Sequence, residues 1–93
     1  MDPAPEMSDR RILSIELAAV GASIVGADQR GTERTYEVTI TRYPGKLARG
    51  TGQSVNLFAR FPESNTRMAL IEQVRSNTMQ RLPGAVCEVT PTW

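Results

Sequence analysis

The 93-residue sequence contains no histidine, one cysteine and only five aromatic residues. Without histidine, the Ser-His-Asp and Cys-His arrangements of nucleophilic catalysis cannot form within one chain. The lone Cys87 excludes an internal disulfide framework and a zinc site built from Cys and His ligands. We therefore expect no metal and no cofactor. These absences favour a non-catalytic protein, and an enzyme that uses carboxylates or Cys87 is the last alternative.

Long apolar runs and a strong excess of one charge are also missing. No run approaches the ~20 residues that a membrane-spanning helix needs, and the start, MDPAPEMSDRR, lacks the basic and apolar regions of a signal peptide. Eleven basic and ten acidic residues leave a net charge of +1. Leu, Ile, Val and Phe supply 20 of the 93 residues, enough for a lean core. We expect a small cytoplasmic domain.

The chain divides into a short tail and one domain. Residues 1–9 are predicted to form a flexible tail because Pro3 and Pro5 cannot join a regular hydrogen-bond ladder. Residues 10–93 are predicted to form a single α+β domain. The sequence contains no internal repeat and no low-complexity tract, so we expect no second domain.

The segment 10–20 fits two templates. Alternation of Leu13, Ile15 and Leu17 predicts a strand, and this interpretation is the one we favour. As a helix, the segment has Ser8 or Asp9 as its cap and Gly21 just past its end. Both alternatives remain open from the sequence.

Three further segments alternate as strands do: 35–43, 54–61 and 85–90. Residues 24–25 are predicted to form a hairpin with 35–43, with a turn at 28–31 in which Gly31 takes positive φ. In 85–90, Cys87 is predicted to be a buried structural thiol, because free cysteine is among the most buried residue types.

The segment 65–82 has the spacing of an amphipathic helix. Ser64 or Asn65 is expected to cap it, and Pro83-Gly84 ends it. Its apolar stripe consists of Met68, Ile71, Val74, Thr78 and Leu82. The pattern predicts a two-layer α+β sandwich, in which this helix covers a mostly antiparallel sheet of three to five strands before a last strand. If 10–20 is also helical, two helices share that face in a plait-like fold without its usual first strand.

Basic residues concentrate in the middle of the chain. Between residues 30 and 60 there are six basic and two acidic residues, and Arg42, Lys46, Arg49 and Arg60 lie around one glycine-containing loop. Such a patch could contact an anion or a nucleic-acid backbone, whereas the alternative is an ordinary solvated loop. The loop is not a phosphate-binding P-loop, because Gly45-Lys46 is followed by Leu47 rather than by Ser or Thr.

An outward aromatic side chain is the second candidate site. If Val55 and Leu57 face the core, Phe58 faces the other way, where one helix cannot cover it. Tyr43 points outward from its own strand by the same alternation. We expect Phe58 and Tyr43 to lie in an interface with a second copy or with another protein, or Phe58 to lie under the first segment. Stacking of nucleic-acid bases on Phe58 is the alternative.

These observations give three hypotheses of function. The leading one is a non-catalytic interaction or regulatory module that self-associates or binds a protein partner. The second is a weak anion or nucleic-acid binder that uses the basic 42–60 region. The third is an enzyme of unknown type. No membrane or metal partner is expected.

Overall fold

The structure, a computed structural model, describes residues 8–42 and 53–93. Its elements are α1 (Asp9–Ala19), β1 (Ser23–Val25), a 3-10 turn (Ala27–Gln29), β2 (Thr35–Arg42), β3 (Gln53–Arg60), α2 (Arg67–Arg81) and β4 (Val86–Pro91). The strands form one sheet in the order β1-β3-β2-β4, and every neighbouring pair is antiparallel. The α+β fold with a helix before the last strand is confirmed.

The first segment is a helix, so the strand that we favoured for 10–20 is wrong. The Ser8 hydroxyl accepts a hydrogen bond from the Arg11 N–H at 3.2 Å, and Gly21 ends the helix at φ +79°. Leu13 and Leu17 are fully buried, whereas Ile15 is exposed. Helical spacing explains this pattern because residues four apart share a face, while a strand would have placed all three side chains together. Residues 1–7 of the predicted tail lie outside the described residues.

The predicted hairpin between residues 24–25 and 35–43 is also wrong. β1 pairs with β3, with Ile24 opposite Ala59, and both sides of β2 are occupied by β3 and β4. The chain leaves β1 after three residues at Gly26 and forms the 3-10 turn. Gly31 does take positive φ, at +93°, in the connection to β2.

The core lies between the two helices and one face of the sheet. α1 packs against α2 and β3, and α2 packs against β4. The sheet contributes alternate residues of its three longer strands to this core: Tyr36, Val38, Ile40, Leu57, Ala59 and Cys87. Both helices therefore cover the same face, as in the two-helix alternative.

α2 starts later than the sequence predicted, and one residue of its predicted stripe is exposed. The Ser64 hydroxyl accepts a hydrogen bond from the Thr66 N–H at 3.0 Å, ahead of the first helical residue, Arg67. Ile71 and Val74 are buried as predicted. Met68, the second residue of α2, is 72% exposed.

Two ion pairs join α1 to the rest of the domain. The Asp9 carboxylate lies 3.0 Å from the Arg42 guanidinium on β2, and the Glu16 carboxylate lies 2.9 Å from the Arg81 guanidinium on α2. Both carboxylates are largely buried, with 11% and 12% of the side chain exposed. These contacts hold the two ends of α1 against different elements.

Candidate interaction surface

Both described helices, α1 and α2, pack on one face of the sheet, and neither lies on the other face. We call it the open face and define it by the strand residues that alternate away from the helices. Thr35 apart, these residues are exposed or half-buried, whereas the opposite face contributes six buried residues to the core. They are Ser23, Val25, Thr35, Glu37, Thr39, Thr41, Ser54, Asn56, Phe58, Arg60, Val86, Glu88 and Thr90.

Phe58 lies on the open face, as the alternation predicted. It is half-buried, with Val25 and Glu37 as its neighbours on the adjoining strands. The guanidinium carbon of Arg30 lies 6.0 Å from the centre of its ring, at the outer limit of a cation–π contact. α1 packs on the other face, so the first segment does not cover Phe58.

The connection between β1 and β2 runs back over one end of the open face. Besides the contact of Arg30 with Phe58, the Thr32 hydroxyl lies 2.7 Å from that of Thr35. The Gly31 N–H donates to the Thr92 hydroxyl at 3.0 Å, and this hydroxyl donates to the Thr35 carbonyl. Thr35 is fully buried as a result. This connection, Gly26–Arg34, makes one part of the open face higher than the rest.

Polar side chains predominate on the remaining part of the open face, and neither described helix lies over it. The Asn56 side-chain amide donates to the Glu37 carboxylate and, at 3.3 Å, to the Thr39 hydroxyl. This small network spans β2 and β3 and holds the Glu37 side chain against the sheet. Thr41, Glu88 and Thr90 continue the polar surface, and the apolar Val86, which is 50% exposed, lies opposite Thr41.

Charges are unevenly distributed on the open face. Arg60 lies on β3, and Arg30 approaches from the connection above it. The acidic residues, Glu37 and Glu88, lie on β2 and β4, on the other side of the sheet centre. Within residues 8–42 and 53–93, none of these four side chains takes part in an ion pair. The strands therefore carry Arg60 on β3 and the two carboxylates on β2 and β4, while the connection carries charges of both signs: Asp28, Arg30, Glu33 and Arg34.

The predicted basic patch is only partly described. Arg42 and Arg60 lie at opposite ends of the β2–β3 pair, seven residue positions apart in the register. Arg42 points to the helices and pairs with Asp9, whereas Arg60 lies on the open face and is exposed. These two residues are not brought together. Lys46, Arg49 and Tyr43 lie outside the described residues.

Cys87 is fully buried on the face of β4 that α2 covers, as predicted. Burial raises the pKa of the Cys87 thiol to about 11, although the Arg75 charge acts in the opposite direction. The thiol is protonated at neutral pH and inaccessible, so it lacks the properties of a nucleophile.

The described residues form neither a metal-binding cluster nor a membrane-spanning helix. In the part of the chain that the structure describes, no three His, Cys, Asp or Glu residues lie in a group that could hold a metal ion. Neither described helix has the length and apolar composition required to cross a membrane. The open face, with Phe58 and its exposed charged side chains, is therefore the candidate site that we consider further.

Sequence reasoning missed three contributors to this surface. Alternation along the strands places Glu37 and Glu88 outward, but neither residue was predicted as part of a site. Arg30 could not be placed, because its position depends on a connection that crosses strands rather than turning back as a hairpin. No protein-family model, curated protein or solved structure matches this chain.

Proposed function

We propose that this protein is a small non-catalytic interaction module that self-associates through the open face. The observation that carries the proposal is the arrangement of both helices on one side of the sheet, which leaves Phe58 and a set of unpaired charges on the other. An aromatic ring beside an arginine is typical of the residues that supply binding energy in interfaces. The cytoplasm is the proposed location.

Substitution of Phe58 tests this proposal. We expect wild-type protein to associate with rising concentration and Phe58→Ser to weaken the association while the fold is retained, because the ring is only half-buried. Met68→Ser is the matched control, since it removes an exposed apolar side chain from α2. Sedimentation velocity gives the association, and circular dichroism gives the fold. Wild-type protein that stays monomeric at millimolar concentration would refute self-association.

A second candidate is binding of an anion or a nucleic-acid backbone through the basic 42–60 region. Arg60 favours it, because its guanidinium is exposed and has no ion-pair partner in the described ranges. Arg42, which pairs with Asp9, contributes less. Retention on a polyanion column that falls with salt, and falls again in Arg60→Ala, is the expected result for this function.

A further inference from the structure

We infer that the connection Gly26–Arg34 is a flap over the ring of Phe58, that the Thr92 hydroxyl holds it closed, and that its opening exposes the ring to the partner. This inference rests on the proposed function, because it concerns access to the same side chain. It adds a form of regulation, since the closed connection limits how much of the ring a partner can reach.

The connection lies over Phe58 because it has to cross β3. β1 pairs with one edge of β3 and β2 with the other. β1 ends with Val25 opposite Phe58, and β2 begins with Thr35 opposite Arg60. The helices pack on the other face, and the guanidinium carbon of Arg30 lies 6.0 Å from the centre of the Phe58 ring, so the crossing runs over the open face. The exposure of the ring therefore depends on the position of the connection.

The connection contributes no residue to the core. Gln29 and Arg34 are half-buried, and every other residue from 26 to 34 is exposed. Two of its hydrogen bonds lie within the 3-10 turn, where the N–H groups of Gln29 and Arg30 donate to the carbonyls of Gly26 and Ala27. A segment with few buried contacts and exposed hydrogen bonds opens at a lower free energy than the core. This segment can therefore open while the rest of the domain stays folded.

Thr92 ties the middle of the connection to the sheet. Its hydroxyl accepts a hydrogen bond from the Gly31 N–H at 3.0 Å and donates one to the Thr35 carbonyl at 3.0 Å. The contact between the hydroxyls of Thr32 and Thr35, at 2.7 Å, is a second tie. The Thr92 N–H also donates to the Thr35 carbonyl, at 3.1 Å, so the end of β4 keeps its backbone bond when the hydroxyl is removed. Loss of the hydroxyl therefore releases the connection and leaves the sheet in place.

The two ends of the connection are held more firmly than its middle. The Arg34 carbonyl accepts a hydrogen bond from the Phe61 N–H at 2.9 Å, and the Arg34 guanidinium pairs with Glu63 at 3.1 Å. At the other end, Gly26 directly follows Val25, which is paired with β3. We therefore expect the opening to be confined to residues 27–33, the part that includes Arg30.

Opening has a defined effect on association. When a partner binds one of two conformations, the apparent affinity is reduced by the fraction of the protein in that conformation. A substitution that raises the open fraction therefore strengthens association through Phe58. Structural damage weakens association instead, so a gain of affinity separates release of the flap from a general loss of structure.

Thr92→Val tests the flap, and Thr90→Val is the matched control. Valine keeps the shape of threonine and removes the hydroxyl. Thr90 lies two residues earlier on the same face of β4, is exposed, and makes no side-chain hydrogen bond within the described ranges. Gly31→Ala is a second opening variant: Gly31 has φ +93°, which disfavours alanine, and no atom lies within 4 Å of the added Cβ.

Hydrogen exchange and ring accessibility report the opening in the monomer. The Thr35 N–H donates to the Thr32 carbonyl at 3.2 Å and does not contact the Thr92 hydroxyl. In wild type it should exchange at least about a hundredfold faster than the Val38 amide at the centre of β2. Thr92→Val should accelerate it about tenfold, the change that ~1.4 kcal/mol from two lost hydrogen bonds produces. A neutral gadolinium chelate should broaden the Phe58 ring signals more in this variant than in wild type or Thr90→Val.

Sedimentation velocity then measures association. Thr92→Val should associate up to about tenfold more tightly than wild type, Thr90→Val should match wild type, and adding Phe58→Ser should abolish the gain. Unchanged Thr35 exchange and unchanged ring broadening in both Thr92→Val and Gly31→Ala overturn the flap. Faster exchange without a gain of association overturns its control of the partner, while self-association of wild type still supports the proposed function. Wild-type protein that stays monomeric at millimolar concentration refutes the proposed function and, with it, this control.

Discussion

The two faces of the sheet come from the same strands and differ in almost every property. Along β3, Leu57 and Ala59 lie in the core, while Asn56, Phe58 and Arg60 point away from it. The covered face carries apolar side chains, and the two helices bury them. The open face keeps threonines, unpaired charges and one aromatic ring. The covered face therefore holds the core, and the open face is the surface that we propose for binding.

The largest expected effect is on the covered face. Val74→Asp places a carboxylate at a fully buried position of α2 and should unfold the domain, because a buried unpaired charge costs several kcal/mol. The neighbouring Gln73→Asp is exposed and should change the free energy of unfolding by less than about 0.5 kcal/mol. Thermal unfolding measures both. Equal losses in the two variants would mean that the helix faces the sheet differently.

Adjacent residues of β3 test the contrast directly. Leu57→Ala should lower the free energy of unfolding by about 3 kcal/mol, as is typical for a buried leucine. Phe58→Ala should lower it by about 1 kcal/mol, because the ring is half-buried on the open face. Urea denaturation gives both values. A larger loss for Phe58 would show that the open face is part of the core.

Cys87 gives a smaller effect that depends on pH. Its folded-state pKa of about 11 lies above the ordinary value of 9.0, so the unfolded chain loses the thiol proton first as pH rises. Stability from this group is therefore complete below about pH 9 and decreases between about pH 9 and 11. Cys87→Ala should show a shallower decrease over that range. Rapid reaction of the native thiol with a thiol reagent at neutral pH would contradict its burial.

The smallest expected effect concerns the ion pair between α1 and α2. Glu16→Gln should cost about 1 kcal/mol, because the carboxylate of Glu16 is largely buried beside Arg81. Glu63→Gln removes a comparable contact with Arg34, but Glu63 is 81% exposed, and no measurable loss is expected. Chemical denaturation of the two variants compares a sheltered pair with a solvated one. Identical stabilities would show that burial does not strengthen the Glu16 contact.

The sequence predicted those features of the fold that depend on local periodicity. The alternation of β2, the stripe of α2 around Val74 and the burial of Cys87 follow from side-chain spacing alone. The residues of segment 10–20 fit both the alternation of a strand and the spacing of a helix. Only the packing of Leu13 and Leu17 in the core decides between the two.

The candidate site was less accessible to sequence reasoning. Alternation placed Phe58 on the open face correctly. The pairing of β1 with β3 is non-local, however, and three residues of strand do not specify a partner. The contact of Arg30 with Phe58 depends on that pairing, so the local sequence around either residue could not predict it.

We propose that the open face, rather than the helices, meets the second copy. Amide chemical shifts recorded by NMR from low micromolar to millimolar concentration distinguish the two surfaces. We expect concentration-dependent shifts at Thr39, Asn56, Phe58 and Glu88, and constant shifts along the exposed side of α2. Shifts confined to the helices, or shifts that do not change with concentration anywhere, would contradict it.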